Sequence, residues 1–288
     1  MQSFLQAAII GVMLGAQYAL LALGFNLIFG ILRVVNFAHG GFYALGGYVA
    51  YATVSGLGAP YPLAVLVAVL FTAAVGYLYE LFFIEHLVDD HLGSMMLTLG
   101  LYLVLSNALL FVFGPQSPEF SFPISGTLRA GGVYLPLENL VVLVACLLAI
   151  LGLYGVVYRT GFGRALRALA DDREIAMAQG LPPRILFPLA FGLATGLAGL
   201  TGALVTPILS LGPGVGDPVL ATSFLTVILG GLGSIGGATA AAFIVGLVEA
   251  YSSVYLGGSI GALVLFVLVL VILVVRPTGL FGREVRGA

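Results

Sequence analysis

Eight long apolar runs dominate the sequence, at about 6–31, 41–57, 62–84, 94–113, 139–158, 185–210, 220–255 and 259–276. A helix needs roughly 20 apolar residues to cross a hydrocarbon core about 30 Å thick, where every backbone N–H and C=O must find its partner inside the protein. Of the 288 residues, 61% are hydrophobic and 8% charged. Soluble domains carry about 25% charged residues, so this chain has too few charges to cover a surface facing water. The expected fold is an all-α polytopic membrane protein with about 8–9 transmembrane helices, forming one domain over residues 1–288. The first apolar run has no basic preface and continues past residue 30, so it reads as a first span and not as a cleaved signal.

Orientation follows from arginine. The loop 159–184 holds Arg159, Arg164, Arg167, Arg173 and Arg184, and the tail adds Arg276, Arg283 and Arg286. Basic residues collect on the cytoplasmic side, so both segments are expected inside, with Arg33 in agreement and Arg129 as the exception. The N-terminus and the loop 114–138 then lie outside. Parity requires the run 220–255 to cross twice or to re-enter. Its interruption by GGLGSIGG at 230–237 predicts a Gly-broken helix pair, with the break at a tight cytoplasmic turn or beside a pathway. Glycines at four-residue spacing, such as Gly11/Gly15, Gly192/Gly196, Gly233/Gly237 and Gly257/Gly261, predict close helix packing within the chain.

Composition also removes chemistry. All ten basic residues are Arg, and a phosphate-binding P-loop needs a Lys, so this chain has no such route to ATP hydrolysis. A net charge of −2 gives no electrostatic case for nucleic acid. Cys146 is the sole cysteine, which leaves neither a disulfide framework nor a zinc site. GLGSIG at 231–236 fits a dinucleotide fingerprint, but no βαβ unit surrounds it. Ser234 with His39, His86 or His91 would imitate a hydrolase, yet Ser234 reads as a hydrogen-bonding residue of a glycine turn. Asp89 and Asp90 with His86 and His91 read as a solvated loop. Glu80 and Glu249 lie in or at the ends of apolar runs, where an ionisable group is a functional candidate. Glu80 is expected to snorkel, and Glu249 to bond with nearby Tyr251, Ser252 or Ser253. The absence of a ladder of Asp, Glu and His weighs against an ion-coupled carrier.

The most informative polar segment runs from Tyr158 to Ile185. From Arg164 to Gln179 it predicts one helix of about four turns, with Gly180 at a left-handed C-cap and Pro182 and Pro183 beyond. Its weak apolar stripe, from Leu166 and Leu169 to Ala176 and Met177, suits either the membrane surface or a groove on a cytosolic partner.

Five segments together resemble the permease subunits of branched-chain amino acid ABC importers, and the LivH type more than the LivM type. They are YALLALGFNLIFGI at 18–31, RVVNFAHGGFYALGGYVA at 33–50, GRALRALADDREIAMAQGLPP at 163–183, ILGGLGSIGGATAAAFIVGLVEA at 228–250 and RPTGLFGR at 276–283. One departure is the acidic loop 84–94, where the family usually places Arg and Pro. The resemblance implies a non-enzymatic transport subunit in a bacterial inner membrane, importing Leu, Ile or Val by alternating access. It also implies a LivM-like second permease subunit, two cytosolic ATPase subunits that hold ATP and magnesium, and an extracytoplasmic binding protein. No cofactor is implied on this chain. The segment 163–180 would be the coupling element, with Arg164, Arg167, Asp171, Asp172, Glu174 and Gly180 facing the ATPase. Asn36, His39, Gly40, Gly231, Gly233, Ser234 and Glu249 are the pathway candidates. Urea or short amides remain as alternative substrates, and an ion-coupled carrier as an alternative machine.

Overall fold

The computed structural model describes residues 2–87, 90–130 and 133–282. In chain order it forms α1 (Gln2–Leu32), α2 (His39–Leu57), α3 (Tyr61–Tyr79), α4 (His91–Phe113), β1 (Thr127–Ala130), β2 (Val133–Pro136), α5 (Leu137–Arg159), α6 (Gly161–Asp171), α7 (Arg173–Ala178), α8 (Pro183–Val205), α9 (Gly216–Gly230), α10 (Ile235–Leu256) and α11 (Gly258–Val275). Six of these, α1, α3 with its continuation to Leu87, α4, α5, α8 and α10, are long and apolar enough to cross a membrane. With the shorter apolar helices α9 and α11 and the less apolar α2, the bundle among the described residues has nine long or apolar helices, in keeping with the expected 8–9.

The bundle has two distinguishable ends. Arg33, Arg159, Arg164, Arg167, Arg173, Arg184 and Arg276 lie at the end that carries α6 and α7. We call this the Arg-rich end. At the opposite end β1 and β2 form a short antiparallel hairpin, with Arg129 opposite Tyr134. Gln6 fixes the hairpin to α1 by accepting from the Tyr134 N–H at 2.9 Å and donating to the Tyr134 carbonyl at 2.8 Å. Arg283 and Arg286 lie outside the described residues, as does Asp89.

Helices α1, α2 and α8 occupy the centre. Almost every side chain of α2 from His39 to Ala50 is buried or nearly so. By contrast α3, α4, α5 and α11 turn large apolar side chains outward, among them Leu70, Phe111, Leu151 and Leu263. This is the pattern of lipid-facing walls around a central core.

The central packing depends on missing side chains. A Cβ on Gly46 would overlap the Gly199 backbone, and one on Gly15 would sit 2.9 Å from the Phe243 Cα. Gly192 meets the Ala73 carbonyl at a comparable distance of 2.9 Å. The glycine pairs of α1 and α8 therefore serve helix packing, as their spacing predicts.

The predicted helix pair is present. Helices α9 and α10 join through residues 231–234, with Gly231 and Gly233 at φ of 97° and 81°. The turn lies at the Arg-rich end: the Asn26 side-chain oxygen of α1 accepts the Gly233 N–H at 2.7 Å. Beyond α11 the chain returns to the same turn, where Leu280 N–H donates to the Leu229 carbonyl at 2.8 Å.

Candidate functional site: an elbow at the Arg-rich end and a signature segment inside the bundle

The expected single helix over 164–179 is two helices. Asp172 leaves the helical region at φ −151° and ψ 108° and accepts the Ile175 N–H at 2.9 Å, starting α7 afresh. The reason is local: Asp residues compete with a helix's own backbone and cap a new start more readily than they continue an old one. Thr160 caps α6 in the same way through the Gly163 N–H. Gly180 takes φ of 86°, the left-handed turn its position predicts.

The elbow has an inner and an outer face. Leu166 and Leu169 are buried against the bundle at 1% and 2% exposure, so α6 rests on the protein and not on lipid. Arg167 lies over the Tyr158 ring at 4.9 Å, which directs it back toward α5. Outward stand Arg164, Asp171, Asp172, Glu174 and Gly180, together with Ile175 and Met177 at 57% and 42% exposure. Two exposed apolar side chains ringed by charge form a small knob. Sequence reasoning missed Ile175, because on a single helix over 164–179 it falls off the stripe of Leu166, Leu169, Ala176 and Met177.

Beside the knob is a cleft of about 330 Å³, lined by Arg33, His91, Asp171, Asp172, Arg173 and Glu174. Arg33 sits at φ 56°, in the left-handed region that terminates α1. The cleft thus joins the start of the signature segment to the acids of the elbow. Nearby, Arg184 pairs with Glu85 at 3.1 Å, so the unusual acidic loop is tied to the start of α8.

The signature residues take a different course from that expected of a loop. After Leu32 the chain folds back into the bundle, and His39 is completely buried, with its Nε2 3.0 Å from the Leu21 carbonyl. Asn36 caps this return: its Oδ1 accepts the Ala38 N–H at 3.0 Å, while its Nδ2 has no partner. Gly40 meets the backbone of Gly216 directly. His39 is therefore an interior residue, not the loop-side one that its flanking sequence suggests.

The other candidates have local duties. Ser234 accepts the Gly237 N–H at 3.1 Å and caps α10, while Gly231 packs on Gly282. Glu249 accepts a hydrogen bond from Tyr18 at 2.7 Å, whereas Tyr251, expected as its partner, donates to the Phe4 carbonyl. Glu80 does not snorkel. It is fully buried at the start of a π-helical turn over Glu80–Ile84, and neither carboxylate oxygen accepts a hydrogen bond. A buried carboxyl without partners costs stability. Replacing Glu80 with Met should raise the melting temperature in detergent by several degrees, read by a tryptophan-independent thermal assay. An unchanged or lower melting temperature would mean that the carboxyl has a compensating role.

A family model described as branched-chain amino acid transport system / permease component matches residues 7–275. The chain belongs to this family. It is 29% identical to the high-affinity branched-chain amino acid transport system permease protein BraD of Pseudomonas aeruginosa, over 97% of this chain and 96% of the relative. It is 28% identical to the permease protein LivH of Escherichia coli K12, again over 97% and 96% of the two chains. The LivM permease protein of the same organism is 30% identical over 65% of this chain and 49% of its own length. No solved structure matches the chain. The permease is thus a multi-pass membrane protein whose relatives are transport subunits.

Proposed function

We propose that this permease is one half of the membrane core of an ATP-driven importer for leucine, isoleucine and valine. A LivM-like second permease subunit forms the other half. Two cytosolic ATPases, which carry ATP and magnesium, and an extracytoplasmic binding protein complete the machine. The N-terminus and the β1–β2 hairpin face outward, and the Arg-rich end faces the cytoplasm, in accord with the bias of basic residues toward that side.

The observation that carries this reading is the elbow. A short helix that projects Ile175 and Met177 amid Arg164, Asp171 and Glu174 has the form of a ridge for a groove on a soluble partner. Its buried residue Ala176, with Leu166 and Leu169 of α6, belongs to the same buried cluster as Leu32 of α1 and Phe187 of α8. Pressure on α7 therefore reaches two central helices through packed side chains, and packed cores switch between discrete arrangements instead of yielding continuously. Movement of the ATPases would rock α1 and α8 and alternate access to a path between the two permease subunits.

The test is labelled leucine uptake in cells with and without this gene, with unlabelled isoleucine, urea and a short amide as competitors. Gene-dependent uptake that isoleucine suppresses, and that survives a proton uncoupler at maintained ATP, is the expected result. Suppression by urea or the amide alone would change the substrate. Collapse with the proton gradient at constant ATP would replace the importer with an ion-coupled carrier.

A further inference from the structure

Two helices of this permease begin inside the membrane. The start of α2 is level with Leu21 of α1, which is 11 residues, or about 16 Å at 1.5 Å per residue, from the end of that helix at Leu32. Helix α9 has 15 residues and spans about 22 Å, so with its C-terminus in the turn at the Arg-rich end it cannot reach the far side of a core about 30 Å thick. The two starts meet where Gly40 touches Gly216.

Neither start is capped by a side chain of its N-cap residue, Ala38 for α2 and Val215 for α9. Helix starts carry partial positive charge and free N–H groups, and at membrane depth such a pair favours an anion. A second observation points the same way. The Asn36 carboxamide is held at the first turn of α2 by its bond to Ala38, is 1% exposed, and has an Nδ2 donor with no partner.

Asp217 supplies the opposite charge. It is the second residue of α9 and is exposed, as are Pro218, Ala221 and Phe224 further along the same face. An exposed carboxylate at this depth cannot face lipid, because an ionised group in hydrocarbon costs several kcal/mol. The face therefore lines either a watery path or the second subunit. Sequence reasoning passed over Asp217, which sits in a Gly- and Pro-rich stretch, GPGVGDP, that reads as an external loop.

We infer that the junction of α2 and α9 is a transit site for the charged head of an α-amino acid, with Asp217 at the start of α9 receiving the ammonium and the start of α2, with Asn36 Nδ2, receiving the carboxylate. In the described conformation the Gly40–Gly216 contact holds the two starts together, and parting of α2 from α9 opens the junction. The apolar side chain of the substrate would then lie along Phe224 and Leu220. This inference rests on the importer reading above and adds to it a site that selects zwitterions over urea or amides.

The experiment uses the complete importer in proteoliposomes, with binding protein and labelled leucine, comparing wild type with Asp217→Asn and Asp217→Glu. Capture by the binding protein sets the half-saturating leucine concentration, so that value should change less than twofold. The maximal rate should fall at least tenfold in Asp217→Asn and recover to a third or more of wild type in Asp217→Glu. A maximal rate in Asp217→Asn within twofold of wild type overturns the site. Loss of the second permease from purified Asp217→Asn assigns the residue to the subunit interface and also overturns it. A wild-type importer that carries no leucine overturns the importer reading and the site together, whereas transport by wild type beside an unaffected Asp217→Asn overturns the site alone.

Discussion

Replacing Ile175 and Met177 together with Asp is expected to strip the ATPase subunits from the purified importer and to reduce ATP-driven uptake at least 30-fold. The two side chains are the apolar part of a ridge otherwise made of Arg164, Asp171, Asp172 and Glu174. Buried anchors at the centre of an interface typically cost 2 kcal/mol or more when lost, and a factor of ten corresponds to about 1.4 kcal/mol. The permease itself should fold normally, because both side chains point away from the bundle and Asp172 still caps α7. Substitution of Asp172 by Asn keeps an oxygen in the capping position and should leave most uptake in place. Co-purification of the ATPases and uptake in the same membranes provide the check. Retention of both subunits and rate by the double variant would remove the elbow from the coupling role.

Gly40→Val should be strongly damaging within the membrane, with accumulation of the permease in the bilayer falling below about a tenth of wild type. A Cβ on Gly40 would overlap the carbonyl of Gly216, and one on Gly216 would overlap the carbonyl of Gly40. Both obstacles are backbone, so no side chain can swing aside, and overpacking of this kind typically costs 1–3 kcal/mol or more. Gly152→Ala is the matched control. Nothing lies within 4 Å of a Cβ on Gly152, and it is in the middle of α5. There Ala should be neutral or stabilise by about 0.5–1 kcal/mol through its better helix propensity. Membrane-fraction immunoblots and melting curves in detergent distinguish the two. Wild-type levels of Gly40→Val would mean that α2 and α9 do not pack as described.

The sequence by itself determined the class of this protein. Apolar runs of about 20 residues have one solution in a bilayer, so the long apolar helices follow from length and hydrophobicity. Local rules predicted the glycine turn between α9 and α10 and the left-handed Gly180, since both depend on backbone angles that few residues adopt. The resemblance in five segments agreed with the family. Depth and facing were decided only by the tertiary structure. Lipid and a protein interior select the same apolar side chains, so the sequence of α2 does not reveal that it is central, nor that of α3 that it lies at the rim. Where a helix begins within the bilayer depends on what it packs against. His39 and Asn36 looked like loop residues until the Leu21 carbonyl and the contact with Gly216 drew them inside. The same packing buried Glu80 where snorkelling was expected. It also set Asp217 at the start of the 15-residue α9.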